Sequence, residues 1–91
     1  MKFAWDGAKS ERNEWEQGPP FQLAVLLFDG PVIERVDVPR DNGETRDRGI
    51  GVLGELILHC VGIQHREMRR IGSLRYANRK ERDACRATYP C

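Results

Sequence analysis

The chain is expected to fold as an α+β domain, an antiparallel sheet with its helices packed on one side, in the order β-α-α-β-β-β-β-α. Three features lead there. Strand-like segments of alternating or wholly apolar residues fill most of residues 32–75. Helical patterning is confined to residues 7–28 and 79–88, which separates helices from strands along the chain. The length of 91 residues supports one hydrophobic core, so residues 1–91 are assigned to a single domain.

Each element has its own signal. Lys2 to Trp5 reads as a short edge strand with Phe3 and Trp5 on one face. Asp6 is suited to cap a helix, since its carboxylate accepts from the unpaired N–H groups of the first turn. That helix is expected to reach about Gln17, where Gly18-Pro19-Pro20 stops it. Phe21 to Phe28 has no Gly or Pro and favours a short helix, closed by Asp29-Gly30-Pro31. Residues 32–38 read as a strand, and the polar stretch Pro39 to Arg48, with Asp41-Asn42-Gly43, reads as a loop. Gly49 to Leu53 and Glu55 to Gln64 read as a hairpin about Gly54. The second of these strands sets Leu56, Leu58 and Cys60 against Ile57, Val61 and Ile63, so both its faces are apolar and it belongs in the centre of the sheet. Met68 to Arg75 follows as a further strand, and Arg79 to about Thr88 as a charged helix.

Composition narrows the function. The longest apolar run, Leu23 to Phe28, is far shorter than the ~20 residues that cross a bilayer, so no membrane role is expected. No apolar stretch follows Lys2, which predicts no signal peptide. Cys60, Cys85 and Cys91 are odd in number and form no CxxC pair, which speaks against zinc and fits a reducing cytoplasm. No metal or cofactor is expected. Charge is divided: residues 1–45 hold five basic and nine acidic side chains, and residues 46–91 hold ten and five. Twelve of the fifteen cations are arginine, whose planar fork suits phosphate and carboxylate. The basic half suits RNA, an acidic partner, or simply water.

No serine-protease, P-loop or HExxH pattern occurs. What stands out is the series Arg46, Arg66, Arg69, Arg70 and Arg75. On regular alternation Arg69, Ile71, Ser73 and Arg75 share one face and Arg70, Gly72 and Leu74 the other, so Arg70 and Arg75 point apart. The series suits phosphate binding; a salt-bridge network with Glu44, Glu55 and Glu67 is the alternative. His59 and His65, six apart, share a face if one strand carries both. His59, between Leu58 and Cys60, reads as packed, and His65, beside Arg66, is the better candidate for proton transfer.

Several pieces together resemble one family. Phe3-x-Trp5-Asp6-x-x-Lys9-x-x-x-Asn13, Gly18, and Phe21-x-x-Ala24-x-x-x-Phe28 are similar to the N-terminal signature of BrnT toxins. Glu44-x-Arg46, Ile50-Gly51 and Gly54 ahead of an apolar strand ending near Arg66 resemble its middle. Arg70-Ile71-x-Ser73-x-Arg75-x-Ala77, then Lys80-Glu81-Arg82 and Tyr89, resemble its end. The resemblance implies a RelE-like fold and a ribonuclease toxin of a type II toxin–antitoxin module, cytoplasmic, inhibiting translation. It implies an antitoxin with a ribbon-helix-helix part, through which alone the toxin meets DNA. Metal-free RNA cleavage needs a base, an acid and a stabiliser of the phosphorane. Resemblance and chemistry together nominate Arg66 and Arg75 as stabilisers, Glu44 or His65 as base, and Lys9, Arg46 and Arg70 as RNA-binding residues. The chain departs from the family where Glu16-Gln17 replaces a usual Lys-His pair, where Gly72 replaces an isoleucine, and at Leu74 and Tyr76. The alternative reading is therefore a weak or inactive member that binds the antitoxin and supports repression. A general RNA-binding module is a third reading, and it has few aromatic side chains for base stacking outside the N-terminal half.

Overall fold

A computed structural model describes residues 2–36 and 44–88. The end of the expected 32–38 strand, the Asp41-Asn42-Gly43 turn, Tyr89 and Cys91 lie outside the described residues. The elements are β1 (Lys2–Trp5), α1 (Gly7–Trp15), α2 (Leu23–Leu27), β2 (Val32–Val36), β3 (Glu44–Leu53), β4 (Leu56–His65), β5 (Met68–Tyr76) and α3 (Arg79–Thr88). The strands form one sheet in the order β1-β5-β4-β3-β2, with β4 at its centre as its two apolar faces require.

The α+β class and the element order hold, and the details differ from expectation in four ways. First, β1 runs parallel to β5, pairing Lys2 with Met68 and Trp5 with Ile71, so the sheet is mixed and not purely antiparallel. Second, the helices cover both faces. Leu58 and Cys60 pack with Phe21, Ala24 and Leu27 under α2 and the segment before it, whereas Ile57 packs with Ala77 and Cys85 under α3. Neighbouring residues of a strand face opposite ways, so the doubly apolar β4 needs cover on both sides. Third, Glu44 to Arg48 are strand, not loop. Their backbone pairs with residues 61–65 of β4, and a complete ladder outweighs their polar composition.

The fourth difference changes which arginines share a face of the sheet. Val61 pairs with Ser73 but Gly62 with Ile71, so Gly72 is an extra residue, a β-bulge. Alternation slips by one there. Arg69, Ile71 and Leu74 are buried, while Arg70 and Arg75 both lie outward on the other face. Gly62 belongs to the same device: a Cβ there would stand 2.8 Å from the Arg70 carbonyl oxygen.

Helix α1 lies against β5 beyond the residues that pair with β1. The Asp6 carboxylate accepts from the N–H groups of Ala8 and Lys9 as the expected cap. At the other end Gly18 N donates to Asn13 O and Gln17 N to Glu14 O, with Gln17 at φ +66°, which is a Schellman motif with glutamine where glycine is usual. Asn13 Nδ2 donates to the carbonyls of Pro19 (2.6 Å) and Leu74 (2.8 Å), tying α1 to the connecting segment and to β5. The hydroxyl of buried Ser10 accepts from Phe21 N at 2.9 Å. The Asn13 of the sequence signature thus has a packing task.

Candidate nucleic-acid interface

The face of the sheet beyond α3 is built from outward residues of β2 to β5. Register sets Arg46 opposite Ile63 and Arg48 opposite Val61, and Ile63 opposite Arg70 in turn. Arg46, Arg48 and Arg70 are exposed and have no acidic partner among the described residues. Two hollows meet at Ile63. One, of about 300 Å³, is lined by Ile63, His65, Arg66, Met68 and Arg70. The other, of about 240 Å³, is lined by Lys9 from α1 together with Arg46, Val61, Gly62, Ile63, Gly72 and Ser73. Five of the seven nominated residues, Lys9, Arg46, His65, Arg66 and Arg70, therefore surround one continuous surface. Glu44, the sixth, is the register partner of His65.

Arg66 stands at the first position of the two-residue turn between His65 and Met68, at φ +57°. This left-handed region costs a non-glycine residue on the order of 1–2 kcal/mol. Strain of that kind gathers where a side chain must be aimed.

Arg75, the seventh, is elsewhere. It pairs in register with His59, whereas Arg66 follows His65, so about 20 Å of strand separates the two arginines at ~3.3 Å per residue. The same spacing separates His59 from His65, which share a face but not a site. Arg75 is half exposed and clamps Glu81 of α3, at 2.7 Å to Oε1 and 2.9 Å to Oε2. Glu81 Oε1 also accepts from Asn78 N (2.9 Å), and Asn78 Oδ1 accepts from Glu81 N (2.9 Å), a reciprocal capping box that starts α3. His59 Nε2 lies 3.6 Å from Glu81 Oε2. The Arg75 hydrogen bonds pull the Glu81 carboxyl down to about 2, and in return Glu81 raises the Arg75 pKa. Burial, followed by the nearby Arg75, lowers the pKa of His59. The spacing Asn78-x-x-Glu81 announces the capping box in the sequence; its link to Arg75 does not show there.

Arg69 is buried on the opposite face and is no part of the open arginine surface. Its Nη2 reaches Glu34 (2.9 Å), Gln64 (3.3 Å) and buried Asp47 (3.3 Å), and its guanidinium lies 3.9 Å over the Phe28 ring, which stacks on Phe3. Burial raises the Asp47 pKa in spite of Arg69. Burial likewise pushes the Cys60 thiol up to about 12, so it is an inert core group. Among the described residues the ion partners of these arginines are Glu34, Asp47 and Glu81, not the expected Glu55 and Glu67. Among the described residues no cluster of three His, Cys, Asp or Glu side chains is placed to hold a metal ion, and no helix is long and apolar enough to cross a membrane.

The departure at Glu16-Gln17 has a visible place. Glu16 lines a hollow of about 180 Å³ with Lys9, Arg12, Asn13, Phe21, Gly72 and Ser73, which sets a carboxylate beside two cations. Searches of curated proteins and of solved structures gave no match. A family model described as "Ribonuclease toxin, BrnT, of type II toxin-antitoxin system" matches residues 5–81. That span runs from the end of β1 to the Glu81 clamp and takes in every arginine of the open face, and on it the chain belongs to the BrnT ribonuclease toxins of type II toxin–antitoxin systems.

Proposed function

We propose that this protein is the toxin of such a pair, that it cuts RNA without a metal, and that the open arginine face is where the strand lies. The observation that carries the reading is the convergence of Lys9, Arg46, Arg66, Arg70 and His65 on two joined hollows. Arg46, Arg70 and Lys9 hold successive phosphates. His65 or Glu44 takes the ribose 2′-OH proton, the oxygen attacks the adjacent phosphorus, and Arg66 neutralises the charge that builds on the phosphorane oxygens. The leaving 5′-oxygen takes a proton from water, and the products are a 2′,3′-cyclic phosphate and a 5′-hydroxyl. Arg75 holds a phosphate further along the strand, oriented by Glu81. An antitoxin with a ribbon-helix-helix part silences the toxin by covering the arginines with acidic or apolar segments. Such an interface buries on the order of 1,600 Å². DNA is met only through that antitoxin, and cleavage in the cytoplasm inhibits translation.

Induction of the chain alone should arrest growth, and co-expression of the neighbouring antitoxin gene should restore it. The purified protein should cut RNA in the presence of EDTA and leave cyclic phosphate ends. Arg66→Ala should lower the rate about 10²–10³-fold with the fold intact. Cleavage that stops with EDTA, or that survives Arg66→Ala undiminished, removes this mechanism. A second reading is supported by Glu16, whose carboxylate lines the hollow of Lys9 and Arg12. It opposes a phosphate there, and a weak toxin that chiefly binds its antitoxin fits that charge. Glu16→Lys should then increase RNA affinity and growth inhibition together; no change in either removes the second reading.

A further inference from the structure

One hollow of the open face is used by none of these roles. It has a volume of about 170 Å³ and is lined by Ile33, Arg35, Arg48, Ile50 and His59. Ile33 and Ile50 are cross-strand partners, and Arg35 and Arg48 are directly opposite each other two residues along. Residues two apart on a strand share a face, so the four side chains form an apolar pair beside a cationic pair. Both arginines are exposed, and neither has an acidic partner among the described residues.

The cationic pair is unfavourable as it stands. Directly opposed side chains have Cβ atoms about 5 Å apart, and like charges so placed destabilise a sheet. Two guanidinium forks at that separation can both donate to one tetrahedral anion, which turns the repulsion into attraction. Its place in the sheet decides which anion. Arg48 follows Arg46 by two residues and is opposite Val61, and Arg46 and Val61 line the hollow of Lys9. The pair therefore continues the surface on which Lys9, Arg46 and Arg70 gather. It stands about 10 Å from Ile63, at ~3.3 Å per residue along a strand and ~4.8 Å between strands. A single RNA strand carries an anion at each step with a base beside it, and a groove that tracks such a backbone sets cations next to apolar surface.

We infer that Arg35 and Arg48 form a phosphate clamp for the RNA strand. Both guanidinium groups hold one backbone phosphate, and Ile33 and Ile50 support the adjoining nucleoside without reading its base. The strand then runs from Lys9 of α1 across β5, β4 and β3 to β2, the last strand of the sheet. The inference rests on the RNA-cleaving reading above and adds where the RNA leaves the sheet.

The test binds a short uncleavable 2′-O-methyl uridine strand, and an abasic sugar-phosphate strand of the same length, to the purified protein over a series of salt concentrations. Arg35→Gln with Arg48→Gln should weaken both strands about ten- to a hundredfold at low salt, the worth of charged hydrogen bonds. Because the two arginines share one phosphate, the double change should make the slope of log K against log salt shallower by about 0.7, and either single change by much less. Without RNA, each single variant should unfold at the same urea concentration as the native protein or at a higher one, since the repulsion is gone. Unchanged affinity in the double variant overturns the clamp. So does a slope shallower by about 0.7 in each single variant, which means two separate phosphates. Weakened binding of the uridine strand but not of the abasic one makes the hollow a base site and overturns the clamp as well. Unfolding of both single variants at lower urea gives the pair a structural role and does the same. If both strands weaken with Arg46→Ala plus Arg70→Ala, while Arg35→Gln with Arg48→Gln weakens only antitoxin binding, the clamp alone falls. If no strand binds the native protein, the clamp and the RNA-face reading fall together.

Discussion

Arg75 holds both carboxylate oxygens of Glu81, at 2.7 and 2.9 Å, while the same Glu81 caps α3 through the backbone N–H of Asn78. One carboxylate thus joins β5 to the start of the helix on the open face of the sheet.

This junction makes stability pH-dependent in a defined direction. The Glu81 carboxyl titrates at about 2 in the fold, against 4.5 ordinarily. A depressed pKa contributes stability that is complete above the unfolded value and is lost as pH falls through the folded one. The native protein should lose about 2 kcal/mol from this group between about pH 5 and pH 2, allowing for the solvent screening of half-exposed Arg75. Glu81→Gln should be less stable at neutral pH and flatter across that window. Urea unfolding at a series of pH values measures it, and parallel curves for the two proteins count against the assignment.

Removing Arg69 should be far costlier than removing any arginine of the open face. It leaves Asp47 buried without its cation, a change worth about 3–5 kcal/mol. Arg69→Met is expected to unfold at a much lower denaturant concentration, and pairing it with Asp47→Leu should recover most of the loss. Failure of the pair to recover would show that Arg69 matters through Phe28 rather than through Asp47.

Arg66→Gly separates strain from function. Glycine accepts φ +57° without penalty, so the variant should be as stable as the native chain to within about 1 kcal/mol, or more stable. RNA cleavage should nevertheless fall as far as in Arg66→Ala. A glycine variant that keeps full activity would mean that the turn tolerates arginine and does not use it.

The open-face arginines should be read by salt. For single-stranded RNA, each phosphate that no longer meets a cation makes the slope of log K against log salt shallower by about 0.7. Arg46→Ala with Arg70→Ala should therefore reduce the slope by about 1.4, for two such phosphates. Either single change should have about half that effect, and an unchanged slope in the double variant places the RNA elsewhere.

Local chemistry made much of this legible in advance. The Asp6 cap, the Gly18-Pro19-Pro20 stop and the two apolar faces of β4 act over a few residues, so composition and spacing reveal them. The arginine series and its clustering toward the second half were legible in the same way, as was the family signature. What composition concealed was pairing. Glu44 to Arg48 look like loop because they are polar, and they are strand because β4 completes their hydrogen bonds. The extra residue at Gly72 carries no mark that distinguishes it from an ordinary strand glycine, yet it moves Arg75 from the face of Arg69 to that of Arg70.

Residue order alone was enough to specify an α+β toxin-family domain with a surplus of arginine in its second half. The task of each arginine emerged only once the strands were paired: Arg69 buried against Asp47 and Phe28, Arg75 clamped on Glu81, and Arg46, Arg66 and Arg70 gathered with Lys9 and His65. The difference is one of range. Propensity, capping and hydrophobic period are set by neighbours in the chain, whereas the environment of a guanidinium is set by strand register. A register shifted by one residue at a bulge exchanges solvent for the core.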